Sequence, residues 1–130
     1  MRVRGTGKGR LTRRALRRGG TGLGSRLNDT LAAWPGVKIT PMFGRWGYFV
    51  LGQLFACYPL KEKEHDLWIR LGRADQAKAL GTSGITPHRR FAGRGWIECK
   101  VASPADVSRA LRWLRRSYEL VKRDAETKSG

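Results

Sequence analysis

The residues able to do chemistry are few: two histidines, His65 and His88, two cysteines, Cys57 and Cys99, and three arginines, Arg89, Arg90 and Arg94, around a glycine turn. Cys57, His65, His88 and Cys99 have the ligand types of a zinc site, but none of the short spacings that bring such ligands together, so no metal and no cofactor is expected. Cys57 as a nucleophile would need a neighbouring base. His65 and Asp66 are adjacent, and adjacent residues on a strand point to opposite faces, which makes them a poor dyad. That leaves His88 as the best single candidate for acid–base work, with a loop-satisfying histidine as the plainer alternative. Arg89, Arg90 and Arg94 beside it could hold a phosphate or carboxylate through forked bonds. A small-molecule site would therefore comprise His88, Arg89, Arg90 and Arg94, closed by Tyr58 on a neighbouring strand.

These side chains must be positioned by elements that the hydrophobic pattern outlines. Ser25 and Asn28 are candidate caps for a short helix with Leu27, Leu31, Ala32 and Trp34, stopped by Pro35 and Gly36. Val37–Thr40 has β-branched character. Trp46–Leu51 and Leu54–Tyr58 are apolar runs joined across Gly52 and Gln53, the spacing of a tight hairpin. Asp66–Leu71 alternates, with Leu67, Ile69 and Leu71 on one face and Trp68 and Arg70 on the other. Arg73–Leu80 contains good helix formers, with Gly81 as its C-cap. Thr82–Pro87 reads as loop and His88–Phe91 as a short edge strand. Trp96–Val101 alternates again, with Ile97, Cys99 and Val101 inward. The last helix is the best defined: Ser103 caps it, Pro104 opens it, and Asp106 stands in its first turn. Its apolar stripe is Val107, Ala110, Leu111, Leu114, Tyr118 and Val121. The order predicts an α+β domain, helix, three strands, helix, two strands, helix, built on an antiparallel sheet.

Charge supplies the other functional signal. The 130 residues carry 27 Lys or Arg against 10 acids, a formal net charge of +17, which draws polyanions and repels like molecules. Residues 1–26 contain nine basic residues, seven glycines and no acid, a composition that cannot offset its ordering entropy. The expected organisation is a disordered basic arm over 1–26, a domain over 27–123 and a disordered tail over 124–130. The arm, with Arg13, Arg14, Arg17 and Arg18, reads as a tether for nucleic acid, as an organelle transit peptide, or as an over-extended start. On the last helix Arg109, Arg112, Arg116 and Arg123 form a second cationic stripe that could track phosphates. Trp68 and Trp96 share the non-core parity of two strands. If those strands are neighbours, the pair marks a half-open face for a base, a small ligand or a second copy in a homodimer. No membrane span is expected, because apolar runs such as Tyr48–Leu51 and Leu54–Tyr58 are far too short to cross a bilayer;, and two cysteines without an apolar leader point to the cytoplasm.

Several strings resemble the bacterial luciferase-like domain family of unknown function: AWPGV at 33–37, FG at 43–44, DLWIRL at 66–71, PH at 87–88, RGWIECKV at 94–101 and DVSRALRWLRRSY at 106–118. The likeness runs from Leu27 to Val121. MFG at 42–44 with LFA at 54–56 is similar, more distantly, to the N-terminal domain of TfoX-type competence regulators. GRGWIE through SYELV resembles MmcQ/YjbR proteins, often labelled DNA-binding. These resemblances imply the secretion-chaperone-like α+β fold and carry no light-emitting chemistry. The family often has histidines in the strand where this chain reads Phe55, Ala56, Cys57 and Tyr58. A site needing those together with His88 is incomplete here. The combined expectation is a non-enzymatic basic module that contacts nucleic acid or another polyanion without sequence readout. A ligand site at His88 and a homodimer through Trp68 and Trp96 are the alternatives.

Overall fold

The computed structural model describes residues 22–61 and 64–129. In chain order the elements are α1 (Leu23–Ala32), β1 (Val37–Met42), β2 (Arg45–Val50), β3 (Gln53–Pro59), β4 (Asp66–Arg70), α2 (Arg73–Leu80), β5 (Ile85–Pro87), a 3-10 turn (Ala92–Arg94), β6 (Trp96–Lys100) and α3 (Pro104–Ser129). The strands form one six-stranded sheet in the order β1-β2-β3-β4-β6-β5, with every neighbouring pair antiparallel. This is a small single-domain α+β fold. Four strands, not three, precede α2.

The strand period of two sorts the side chains to the faces. Tyr48, Ala56, Ile69 and Ile97 lie opposite one another across β2, β3, β4 and β6, all fully buried. The helices pack on this face. From α1 come Leu23, Leu27 and Leu31, and from α3 Val107, Ala110, Leu114, Tyr118 and Val121. Three buried side chains on this side find partners, while Asn28 Nδ2 has no hydrogen-bond partner among the described residues. The Tyr48 hydroxyl donates to Asn28 Oδ1 at 2.8 Å, Ser117 to the Phe55 carbonyl at 2.9 Å, and Tyr118 to the Pro35 carbonyl at 2.6 Å.

The element ends differ from the sequence reading in three places, each for a packing reason. α1 begins at Leu23, because Leu23 and Leu27 are one turn apart and both enter the core;. Ser25 and Asn28 therefore lie inside the helix, and Asn28 is a buried partner of Tyr48. Residues 22–26, expected in the disordered arm, belong to the domain, and residues 1–21 lie outside the described residues. α3 continues to Ser129 where a tail from 124 was expected. Ala125, four residues beyond Val121, extends the apolar stripe and is buried, and Asp124 reaches Arg70 at 3.8 Å. Finally the edge strand is Ile85–Pro87, and residues 88–91 are a turn. Ile85 pairs with Cys99, which anchors that segment as the edge.

The start of α3 follows the expected chemistry. The Asp106 N–H donates to Ser103 Oγ at 3.2 Å, and the Ala102 N–H to Asp106 Oδ2 at 2.9 Å, a reciprocal cap that satisfies exposed donors at the helix end. Among the described residues no helix is long and apolar enough to cross a membrane.

One glycine ties the turn before β6 to the end of β4. Gly95 has φ +94, a Cβ there would sit 2.0 Å from the Leu71 carbonyl oxygen, and the Leu71 N–H donates to the Gly95 carbonyl at 3.0 Å. Gly95→Ala is expected to cost about 3 kcal/mol, from left-handed strain plus overpacking. Gly93→Ala, at a glycine with open space around it, serves as the control. Urea unfolding of the two variants checks the difference.

Candidate functional site

On the sheet face opposite the helices, one row runs Gly47, Cys57, Trp68, Glu98 and Thr86 across β2, β3, β4, β6 and β5. Trp68 is at its centre, between Cys57 and Glu98. Arg45, at the start of β2, spreads its guanidinium 3.7 Å from the Trp68 ring centroid. In that position it donates from Nε to Cys57 Sγ at 3.2 Å, to the Cys57 carbonyl at 3.3 Å, to Asp66 Oδ2 at 3.3 Å and to the Asp66 carbonyl. Arg45 was not singled out from the sequence. The alternation of Arg45, Gly47 and Phe49 against Trp46, Tyr48 and Val50 marks its face, but only the strand register places it on Trp68.

The turn after β5 closes the other side of the same tryptophan. His88 is 3% exposed, its ring 4.4 Å from that of Trp68 in an edge-to-face arrangement and stacked 5.2 Å from Phe91. Its Nδ1 accepts the backbone N–H groups of Arg90 and Phe91, both at 3.0 Å. An accepting Nδ1 carries no proton, so the neutral ring holds its proton on Nε2, a buried atom without a hydrogen-bond partner among the described residues. Burial pushes the His88 pKa below its ordinary value, against the opposing pull of Glu98;. Arg89 fastens the turn to the sheet. Its Nε and Nη2 reach the two Glu98 oxygens at 2.8 Å each, its N–H reaches Oε2 at 3.0 Å, and Asp66 lies 3.6 Å away. These bonds hold the Glu98 carboxyl at a pKa of about 2.

The proposed small-molecule set is therefore not one cluster. His88 is a buried turn cap, Arg89 is committed to Glu98 and Asp66, and Arg90 and Arg94 are exposed with no side-chain partner among the described residues. Tyr58 lies on the helix-covered side, where its hydroxyl donates to the Val101 carbonyl at 2.8 Å and burial raises its pKa to about 12. It cannot close a site over His88. The strands bearing Trp68 and Trp96 are neighbours, as the shared parity requires, yet the face is not half open at Trp68. Arg45 and the His88 turn cover it, and Trp96 is partly buried 6.3 Å from His88. The cysteines sit on opposite faces of the sheet. Burial raises the pKa of both, that of Cys99 to about 11, so neither is an activated thiolate. Among the described residues no group of three or more His, Cys, Asp or Glu could hold a metal.

The cationic stripe on α3 is sorted by its neighbours. Arg109 pairs with Asp106, and Arg116 forms a bidentate pair with Asp75 of α2 at 2.9 and 3.0 Å. Arg112 lies 4.7 Å over the ring of Trp113, with no carboxylate partner among the described residues. Arg123 likewise has none. It lines, with Arg73 and Arg116, a groove of about 340 Å³ between the start of α2 and α3, whose carboxylates Asp75 and Glu119 are taken by Arg116 and Arg115. Arg13, Arg14, Arg17 and Arg18 lie outside the described residues. Comparison with protein-family models, with curated proteins and with solved structures finds no match.

The His88 geometry sets a pH dependence. A native pKa below the ordinary 6.5 means that near and below pH 6.5 the unfolded chain binds more protons than the native one, so stability falls as the pH drops through this range. Glu98 does not contribute until the pH falls below its ordinary 4.5, since its native value is lower still. Melting temperature should therefore decline between pH 7.5 and 5.5. His88→Asn, which can accept the same turn N–H groups but does not titrate, should flatten that decline in thermal scans.

Proposed function

We propose that this protein is a non-enzymatic basic module that holds nucleic acid or another polyanion by its phosphates without reading base sequence. The observation that carries the reading is the imbalance on α3. Two of its stripe arginines are matched by carboxylates, whereas Arg112 and Arg123 are not, and Arg123 shares its groove with Arg73, also without a carboxylate partner among the described residues. Guanidinium groups held on a rigid helix with no acid to answer them are suited to phosphate oxygens. The chain's net +17 adds long-range attraction;, and the likeness to MmcQ/YjbR proteins points the same way. The arrangement at His88 favours no catalytic role, because Nδ1 is occupied by two backbone donors and the ring is enclosed.

The test is binding of a mixed-sequence DNA duplex to the full chain, measured by fluorescence anisotropy at several salt concentrations. Affinity should fall steeply with salt. Each phosphate contact contributes about 0.9 to the logarithmic slope, so Arg112→Ala with Arg123→Ala should make the slope shallower by about two, equally for unrelated sequences. No association in dilute salt, or a slope untouched by the double substitution, overturns the reading.

A further inference from the structure

Phe43 occupies the tip of the turn between β1 and β2, with φ +49 and 96% of its surface exposed. Both properties work against the fold. A left-handed first position followed by glycine, here Gly44 at φ +77, is the turn that takes Asn or Asp most readily, and a ring left in water contributes no burial. Leu51, with φ +50 in the corresponding place between β2 and β3, is different. It is half exposed, and its side chain comes within 3.9 Å of the Cβ position of Gly36. By contrast, an exposure of 96% leaves the Phe43 ring almost without protein contact. The β1–β2 turn thus presents an unsupported ring to solvent.

The surroundings select the kind of partner. Among the described residues the exposed large hydrophobics are Phe43, Leu51, Leu80 and Phe91, and they sit at four separate places: the β1–β2 turn, the β2–β3 turn, the end of α2 and the turn after β5. A protein interface or a bilayer surface needs a contiguous apolar patch. A single flat ring needs only one planar partner, which a nucleobase supplies. Charge agrees. The Leu60 N–H donates to the Gly44 carbonyl at 3.1 Å, which brings the exposed Lys61 next to the turn, on a chain of net +17.

We propose that Phe43 is a stacking platform for one unpaired base, so that the polymer held is single-stranded nucleic acid. This inference rests on the polyanion reading above and adds to it a contact that phosphates alone do not make.

The experiment compares the full chain with Phe43→Asn and Phe43→Trp on two probes: a 20-nucleotide oligothymidylate, and an abasic oligomer of the same length and charge. Phe43→Asn suits the turn and is expected to melt no lower than the parent, so a loss of binding is not a loss of fold. It should weaken oligothymidylate binding about tenfold, with the salt slope and abasic binding unchanged, and Phe43→Trp should retain full affinity. Should Phe43→Asn bind oligothymidylate as the parent does while the steep salt dependence persists, the stacking role is wrong and the phosphate-holding role stands. Equal weakening on the abasic oligomer also overturns stacking. A loss confined to sedimentation with anionic vesicles overturns it in favour of a membrane surface. Absence of binding to either oligomer by the parent protein overturns stacking, and absence of duplex binding in dilute salt as well removes the phosphate-holding role with it.

Discussion

A six-stranded sheet covered by helices on one face only has to close its other face with side chains, and most of the chemistry seen in this protein follows from that constraint. The central outward position is a tryptophan, too large and too apolar to leave open. Arg45 covers it with a guanidinium plane, a contact that gains from the negative face of the indole and is worth about 2 kcal/mol when water is excluded. The bonds from Arg45 to Cys57 and Asp66 then fix that plane in place. The turn after β5 covers the rest, capped internally by His88 and fastened by Arg89 to Glu98. Ion pairs of this kind, part-buried for Arg45 with Asp66 and open to water at Arg89, are weak sources of net stability;. Their effect here is geometric, since they hold in place the groups that close the two sides of Trp68.

The same economy of acids governs the surface. Asp66, Asp75, Glu98, Asp106, Glu119 and Asp124 are each engaged by an arginine, so the carboxylates act as fixed internal partners and do not screen the remaining cations. Exposed pairs such as Arg115 with Glu119 add little to folding, yet they determine which guanidinium groups stay available. Arg112 and Arg123 are available for that reason, and not because they differ in type from Arg109 and Arg116. Phase along a helix identifies a stripe; the acids that come up against it from other elements decide how much of its charge remains.

Much of the architecture was legible along the chain. The alternations over 66–71 and 96–101 assigned inward Leu67, Ile69, Ile97, Cys99 and Val101 correctly, α2 was delimited at Arg73 and Leu80, and Ser103, Pro104 and Asp106 marked the start of α3. The errors lie where a residue's local preference is overruled by a distant partner. Ser25 and Asn28 look like caps because short polar side chains favour helix ends, but Leu23 extends the buried stripe backwards and Tyr48 supplies Asn28 with a partner from β2. Residues 124–129 look like a polar tail, while Ala125 continues the stripe into the core. The candidate site suffered most. His88, Arg89 and Tyr58 were grouped by chemistry, and the sheet then placed Tyr58 beneath its own plane and locked the other two into a turn, while Arg45 entered from a strand that nothing local had connected to them.

The sequence by itself determined the period of each element, the inward residues, the capped start of the last helix and the excess of cations, because these depend on neighbours within one helical turn or two strand positions. Only the tertiary structure decided which strands adjoin, that Arg45 lies on Trp68, that His88 is a cap, and which arginines are matched by acids. Those outcomes depend on register and crossing between segments tens of residues apart, where the free energy comes from pairs of side chains and is not encoded in either one alone.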